Sequence, residues 1–133
     1  MKCVYCGNNT SVTNSRLQKQ SNSIWRRRRC ETCKNVFSTK ETINLAQALC
    51  VELTEGKLTP FNRDILFISI YSCLKHRKQP IKDASELTNT IITKLTKSQQ
   101  AVFSSADIIQ ITVATLKQFD SVAQIQYNAF HKI

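Results

Sequence analysis

Arg26-Arg27-Arg28-Arg29-Cys30-Glu31-Thr32-Cys33, taken with Cys3-Val4-Tyr5-Cys6, decides the fold of the first part of this chain. Two Cys-x-x-Cys pairs separated by a polar and basic segment satisfy a tetrahedral four-cysteine zinc site, because each pair turns tightly and presents two thiolates to one ion. A lone Cys-x-x-Cys is equally compatible with a redox motif. Two pairs predict a β-stranded zinc ribbon, with Cys3, Cys6, Cys30 and Cys33 as metal ligands. Four arginines in a row abut Cys30, and guanidinium groups match phosphate oxygens in bidentate fashion. The expected partner is nucleic acid.

The wider composition agrees. Among 133 residues, Lys and Arg total 19 against 9 Asp and Glu, a formal net charge of +10 that suits a polyanionic partner. A membrane surface would also attract such a charge. The N-terminus, however, lacks the apolar stretch of a signal peptide, and no run approaches the roughly 20 apolar residues of a spanning helix. A cytoplasmic protein without membrane contact is expected. In a reducing cytosol, cysteines at metal spacing are ligands rather than disulfides. Cys50 and Cys73 stand singly among apolar neighbours and are expected to be buried, inert thiols. An enzyme is not expected: four cysteines close the zinc shell to a catalytic water, and no carboxylate pair or Ser-His-Asp set stands out.

A change in composition after Glu41 divides the chain into domains at residues 1–42 and 43–133. The first holds too little apolar material to fold unaided, so the metal must supply much of its stability. Its expected course is a knuckle from Cys3 to Gly7 and a strand around Ser11 to Asn14, then a polar turn from Gln18 to Ser23 and a strand from Ile24 to Arg29. A second knuckle from Cys30 to Asn35 and a strand from Val36 to Lys40 complete it. Gly7 is placed for a positive φ. Trp25 has two readings, a filler of the small ribbon core or an apolar edge resting on sugar or base. If Arg26 to Arg29 are extended, only two of the four can face DNA at once, and the other two would pair with acids or contact the second domain.

The second domain begins with a β-hairpin, Ala48 to Thr54 and then Leu58 and Thr59, with Gly56 in the turn. Thr59 as N-cap and Pro60 at the first helical position predict a helix running to the basic end Lys75-His76-Arg77-Lys78, where Pro80 stops it. Amphipathic helices are then expected from Asp83 to Thr96, from Ser105 to Phe119, and from an Asp120 N-cap onward. The last carries Val122, Ile125, Tyr127 and Phe130. The fold class is α+β, a zinc ribbon followed by a hairpin with about four helices.

Cys3-x-x-Cys6, Asn14-Ser15-Arg16, Arg26 to Arg29, Cys30-x-x-Cys33 and Val36-Phe37-Ser38-Thr39-x-Glu41, then Gly56-x-x-x-Pro60-Phe61-Asn62 and Asp120-x-Val122-Ala123, together resemble the NrdR family of bacterial transcriptional repressors. The resemblance runs in order over nearly the whole chain. It implies a DNA-binding zinc ribbon and an ATP-cone domain that senses ATP and dATP, acting as a repressor at ribonucleotide reductase promoters. It carries DNA contacts onto Arg16 and Arg26 to Arg29, beside which Trp25 is a further candidate. Family members carry a Lys-Arg-Asp-Gly-like turn before Pro-Phe and a basic residue three positions after the Asn. Here Leu53, Thr54, Glu55 and Gly56 occupy the turn, and Ile65 the later position. The candidates left for an ATP or dATP site are Lys57, Phe61, Arg63, His76 and Arg77. One short ribbon buries little area on duplex DNA, so a homo-oligomer on paired half-sites of a promoter operator is expected. The alternative is a general zinc-ribbon nucleic-acid-binding accessory protein whose helical domain is a protein-interaction scaffold.

Overall fold

The computed structural model describes residues 1–131; the last two residues of the expected second domain lie outside them. The chain is α+β and separates into two compact units, Met1–Ile43 and Asn44–Ile133. The first unit is an antiparallel meander of β1 (Thr10–Gln18), β2 (Ser23–Cys30) and β3 (Val36–Glu41), with β2 in the centre. β1 is longer than expected because it pairs with the whole of β2, from Thr10 opposite Cys30 to Gln18 opposite Ser23. A bulge between Val12 and Asn14 leaves Thr13 unpaired, and its hydroxyl donates to the Arg27 carbonyl at 3.3 Å.

Burial in this unit is scant. Cys3, Cys30 and Ser23 are its only buried residues, and the hydrophobic cluster lies wholly in the second unit. Tyr5 meets Phe37 edge to face, and Ile24 and Trp25 are half-buried. The physical expectation from such a core is an unfolded chain unless the cysteines are tied together.

The second unit contains α1 (Leu45–Ala48), β4 (Cys50–Glu52), β5 (Leu58–Pro60), α2 (Arg63–Ser72), α3 (Pro80–Lys97), β6 (Val102–Ser104), α4 (Ser105–Phe119) and α5 (Ser121–Phe130). β4 is the middle of a three-stranded sheet, antiparallel to β5 and parallel to β6. The core gathers Ile70, Leu74, Ile91, Leu95, Leu116 and Tyr127, with Cys73 buried among them.

Several helix limits differ from expectation. Pro60 does not start α2 but ends β5 opposite Cys50. Asn62 is the cap, its side chain accepting from the Asp64 and Ile65 N–H groups at 2.9 and 3.3 Å. Strand pairing draws Thr59 and Pro60 into the sheet, and Asn is a good N-cap two residues later. α2 ends at Ser72, so Lys75 to Lys78 do not form its last turn. Pro80 opens α3 instead of stopping α2, because its missing N–H and preset φ suit the first helical position. α4 matches its expected span and closes a capping box between Ser104 and Asp107. α5 starts from Asp120 as expected, but Val122, Ile125 and Phe130 are 49%, 65% and 75% exposed; Ala123 and Tyr127 face the core.

Candidate metal centre and nucleic-acid interface

The two knuckles are built alike. In each, the residue after the second cysteine is left-handed, Gly7 at φ 75° and Lys34 at φ 64°. An asparagine follows at the next position, and its side-chain amide donates to the second cysteine: Asn8 to Cys6 Sγ at 3.4 Å and Asn35 to Cys33 Sγ at 3.5 Å. A backbone N–H serves the first cysteine, from Tyr5 to Cys3 Sγ and from Cys33 to Cys30 Sγ, both at 3.4 Å. These donors orient the sulfurs and favour thiolates, and so form the outer shell that metal ligands require. Sequence reasoning missed Asn8 and Asn35, although each stands two residues after a ligand in both knuckles.

The four sulfurs lie within 4.8 Å of one another. Across the knuckles, Cys3 and Cys33 are 3.7 Å apart and Cys6 and Cys30 3.5 Å. A tetrahedron with zinc–sulfur bonds of about 2.3 Å requires sulfurs about 3.8 Å apart, so the set fits zinc. The Cys33 N–H is the largest influence drawing the Cys30 thiol down to about 6. At Cys33 the Asn35 N–H acts in the same direction, but burial and the neighbouring thiols outweigh it and push that thiol up to about 11. Four thiols packed this closely cannot all ionise unless a cation shares the site.

Strand register sorts the arginine run. Directly paired residues of adjacent strands share a face. On one face stand the rows Arg16–Trp25–Lys40, Asn14–Arg27–Ser38 and Ser11–Arg29–Val36. Arg16, Arg27, Arg29 and Lys40 are all exposed, and none forms an ion pair among the described residues. These rows hold no acidic side chain. Arg26 and Arg28 lie on the other face. There Arg26 pairs with Glu41 at 2.6 Å, and Arg28 Nη1 donates to Thr10 Oγ1 at 3.4 Å. Of the six DNA candidates, Arg16, Trp25, Arg27 and Arg29 therefore come together, and Arg26 and Arg28 do not. Lys40 was missed; it joins the face because it pairs with Trp25, a register readable only once β2 and β3 are aligned.

Of the nucleotide candidates, His76 and Arg77 come together and the other three stand apart. Phe61 is buried in the core. Lys57 is exposed beside the hairpin turn, its carbonyl accepting from the Leu53 N–H at 2.9 Å. Arg63 binds Asn89 and Ser85 of α3 and lies over the Phe67 ring. His76 and Arg77 both bond Asp120, at 2.9 Å each, and Arg77 also holds Asp83 at 2.6 Å. Burial alone would raise the Asp120 pKa, but the Ala123 N–H, His76 and Arg77 hold this carboxyl well below the usual range. A cavity of about 300 Å³ opens beside the hairpin, lined by Leu53, Phe61, Ile65, Ile108 and Tyr127 among others, and its lining includes no lysine or arginine.

The family described as Transcriptional repressor NrdR-like, N-terminal domain, a zinc ribbon, matches residues 1–41. Over its whole length the chain is similar to proteins named Transcriptional repressor NrdR. It is 32% identical to that of Gluconobacter oxydans over 133 residues, covering 99% of this chain and 80% of the relative. It is 34% identical to that of Afipia carboxidovorans, covering 99% and 84%, and 33% identical to that of Acidiphilium cryptum, covering 99% and 87%. The chain belongs to the NrdR family. Membership accounts for both units, since the NrdR matches run on from the ribbon through the helical unit. Zinc is the metal of this NrdR ribbon, in agreement with the four-sulfur geometry. No described helix is long and apolar enough to cross a membrane.

Proposed function

We infer that this chain is a zinc-dependent transcriptional repressor that binds promoter DNA through the exposed β-face of its ribbon. It is a regulator and not an enzyme, and it acts in the cytoplasm at ribonucleotide reductase promoters, as its family implies. Cys3, Cys6, Cys30 and Cys33 would hold the zinc. The observation that carries the reading is the set of unpaired cations Arg16, Arg27, Arg29 and Lys40 around Trp25 on one face of a metal-clamped sheet. Cations at this density position a protein on phosphates, and one or two can reach guanine edges. A ribbon of about 40 residues offers too little area for specific binding, so the repressor would act as a homo-oligomer on paired half-sites.

ATP or dATP would be the effector, received by the helical unit and altering the oligomer by binding one arrangement more tightly. Family membership and the cavity beside the hairpin support this part. The absence of lysine and arginine from that cavity favours a second reading, in which the helical unit keeps the fold and the oligomer contacts without binding a triphosphate. Native mass spectrometry of the zinc-loaded protein with and without ATP and dATP separates the two. Bound nucleotide with a change in subunit number supports the first, and one zinc per chain with a fixed oligomer supports the second. For the repressor itself, fluorescence anisotropy compares a palindromic promoter with random duplex at matched salt. Equal affinity for the two would remove specific repression.

A further inference from the structure

Arg28 lies on the ribbon face opposite the exposed cations, two residues before Cys30 and on the same side of the sheet. Its Nη1 donates to Thr10 Oγ1 at 3.4 Å, and Thr10 is the cross-strand partner of Cys30. The guanidinium thus leans along β2 into the row that carries Cys30, toward the knuckles. Successive residues on one face of a strand are about 6.6 Å apart, and the bond to Thr10 carries the guanidinium across that spacing into the row of Cys30, so this charge lies on the cysteine side of the ribbon.

Its environment is unusual. Arg28 Nε is buried without a hydrogen-bond partner, the one such side-chain nitrogen or oxygen found among the described residues. A desolvated donor on a permanent cation is unfavourable unless an opposite charge compensates it. No carboxylate does so among the described residues: Arg28 forms no ion pair, and Glu41, on the same face but opposite Ile24, is engaged by Arg26. A divalent zinc held by the four thiolates would leave that site with a net charge of about −2, of the sign this donor needs.

We propose that Arg28 is a positioning residue of the metal centre, whose guanidinium offsets the negative charge of the zinc tetrathiolate and so holds zinc in the ribbon instead of contacting DNA. The inference rests on the zinc reading of the four cysteines. The four arginines from Arg26 to Arg29 then have three different roles. Arg27 and Arg29 face outward, Arg26 ties β2 to the end of β3, and Arg28 serves the metal.

The test titrates full-length wild type, R28Q and R28K with zinc against a chromophoric chelator, and records the cobalt(II) thiolate absorption of each. R28Q should bind zinc about 10- to 100-fold more weakly, the usual consequence of losing an outer-shell partner, and R28K should recover most of that loss. Zinc-saturated R28Q should keep the wild-type salt dependence of DNA binding. Equal zinc affinity of wild type and R28Q overturns the inference while leaving the zinc reading intact. Equal weakness of R28K and R28Q also overturns it, since charge would then not be the cause, and so does a salt slope reduced by about one unit in R28Q, the mark of a lost phosphate contact. A wild-type chain that takes no zinc brings down the zinc reading together with this inference. If R28Q does not fold at saturating zinc, R28K decides alone: a folded, zinc-retaining R28K supports the proposal, and an unfolded one overturns it.

Discussion

Replacing Arg27 and Arg29 together by glutamine removes two of the four cations on the exposed ribbon face and disturbs nothing else. Both side chains are exposed and neither makes an ion pair among the described residues, so the ribbon should stay folded with its zinc. The expected effect follows from counterion release, in which each phosphate contact adds about 0.9 to the slope of log K against log salt. With Arg16, Arg27, Arg29 and Lys40 all on phosphates, one ribbon contributes a slope of about 3.6, and the double variant about 1.8. Raising salt fourfold, from about 50 to about 200 mM, should then weaken wild type by about 2.2 decades per ribbon and the variant by about 1.1. Two ribbons acting together double both figures. The assay is fluorescence anisotropy of zinc-saturated protein on one duplex across that salt range, with R26Q as the comparison. Arg26 faces away and is held by Glu41, so R26Q should keep the wild-type slope. An unchanged slope in R27Q/R29Q, or a drop of about one unit in R26Q, would refute the sorting of the arginines by face.

Cys30→Ser should abolish stoichiometric zinc binding and DNA binding while leaving the helical signal at 222 nm intact, because every helix lies in the other unit with its own core; loss of that signal would contradict the independence of the two units. Asp120→Asn should lower the stability of the helical unit by about 2 kcal/mol, since it weakens the cap of α5 and the bonds to His76 and Arg77. The folded Asp120 pKa lies below its unfolded value, so its contribution is complete above about pH 5 and fades as pH falls. The urea midpoints of wild type and D120N should therefore begin to converge below about pH 5 and go on converging as pH falls through the ordinary carboxyl range toward the lower folded value; a gap that stays constant from about pH 5 to about pH 2 would argue against the carboxylate as its source. Asn62→Ala should cost about 1 kcal/mol by removing the cap of α2, read from the same urea curves. Thr59→Ala should have a smaller effect, because that hydroxyl caps no helix.

Much of the architecture was written in local chemistry. Cysteine spacing places the knuckles, and the strand-turn-strand pattern between them needs only residues close in sequence. The capping positions Ser104 and Asp120 start α4 and α5 where the residue types say they should. The misreadings came where a distant partner overrode a local preference. Pro60 followed by Phe61 and Asn62 is a reasonable helix start, yet pairing with Cys50 keeps Pro60 in a strand. Val102–Ser104 is too short to announce itself, and it is a strand only because β4, about fifty residues earlier, offers a parallel edge. On α5, Val122, Ile125 and Phe130 read as a core stripe, but the packed side is set by Ala123 and Tyr127.

Taken alone, then, the sequence determined that a four-cysteine metal site clamps an N-terminal ribbon, that a basic strand leads into it, and that a hairpin and helices follow. These depend on spacing, charge and caps, which act over a few residues. The tertiary structure decided which cations stand together, because that requires the register of three strands and the bulge at Thr13 that sets Asn14 opposite Arg27. It also turned Arg26 and Arg28 away from the exposed face, added Lys40 to it, and, of the five nucleotide candidates, brought only His76 and Arg77 together, on Asp120. What a side chain does is set by its neighbours across the sheet or between helices, and those neighbours are chosen only when the chain has folded.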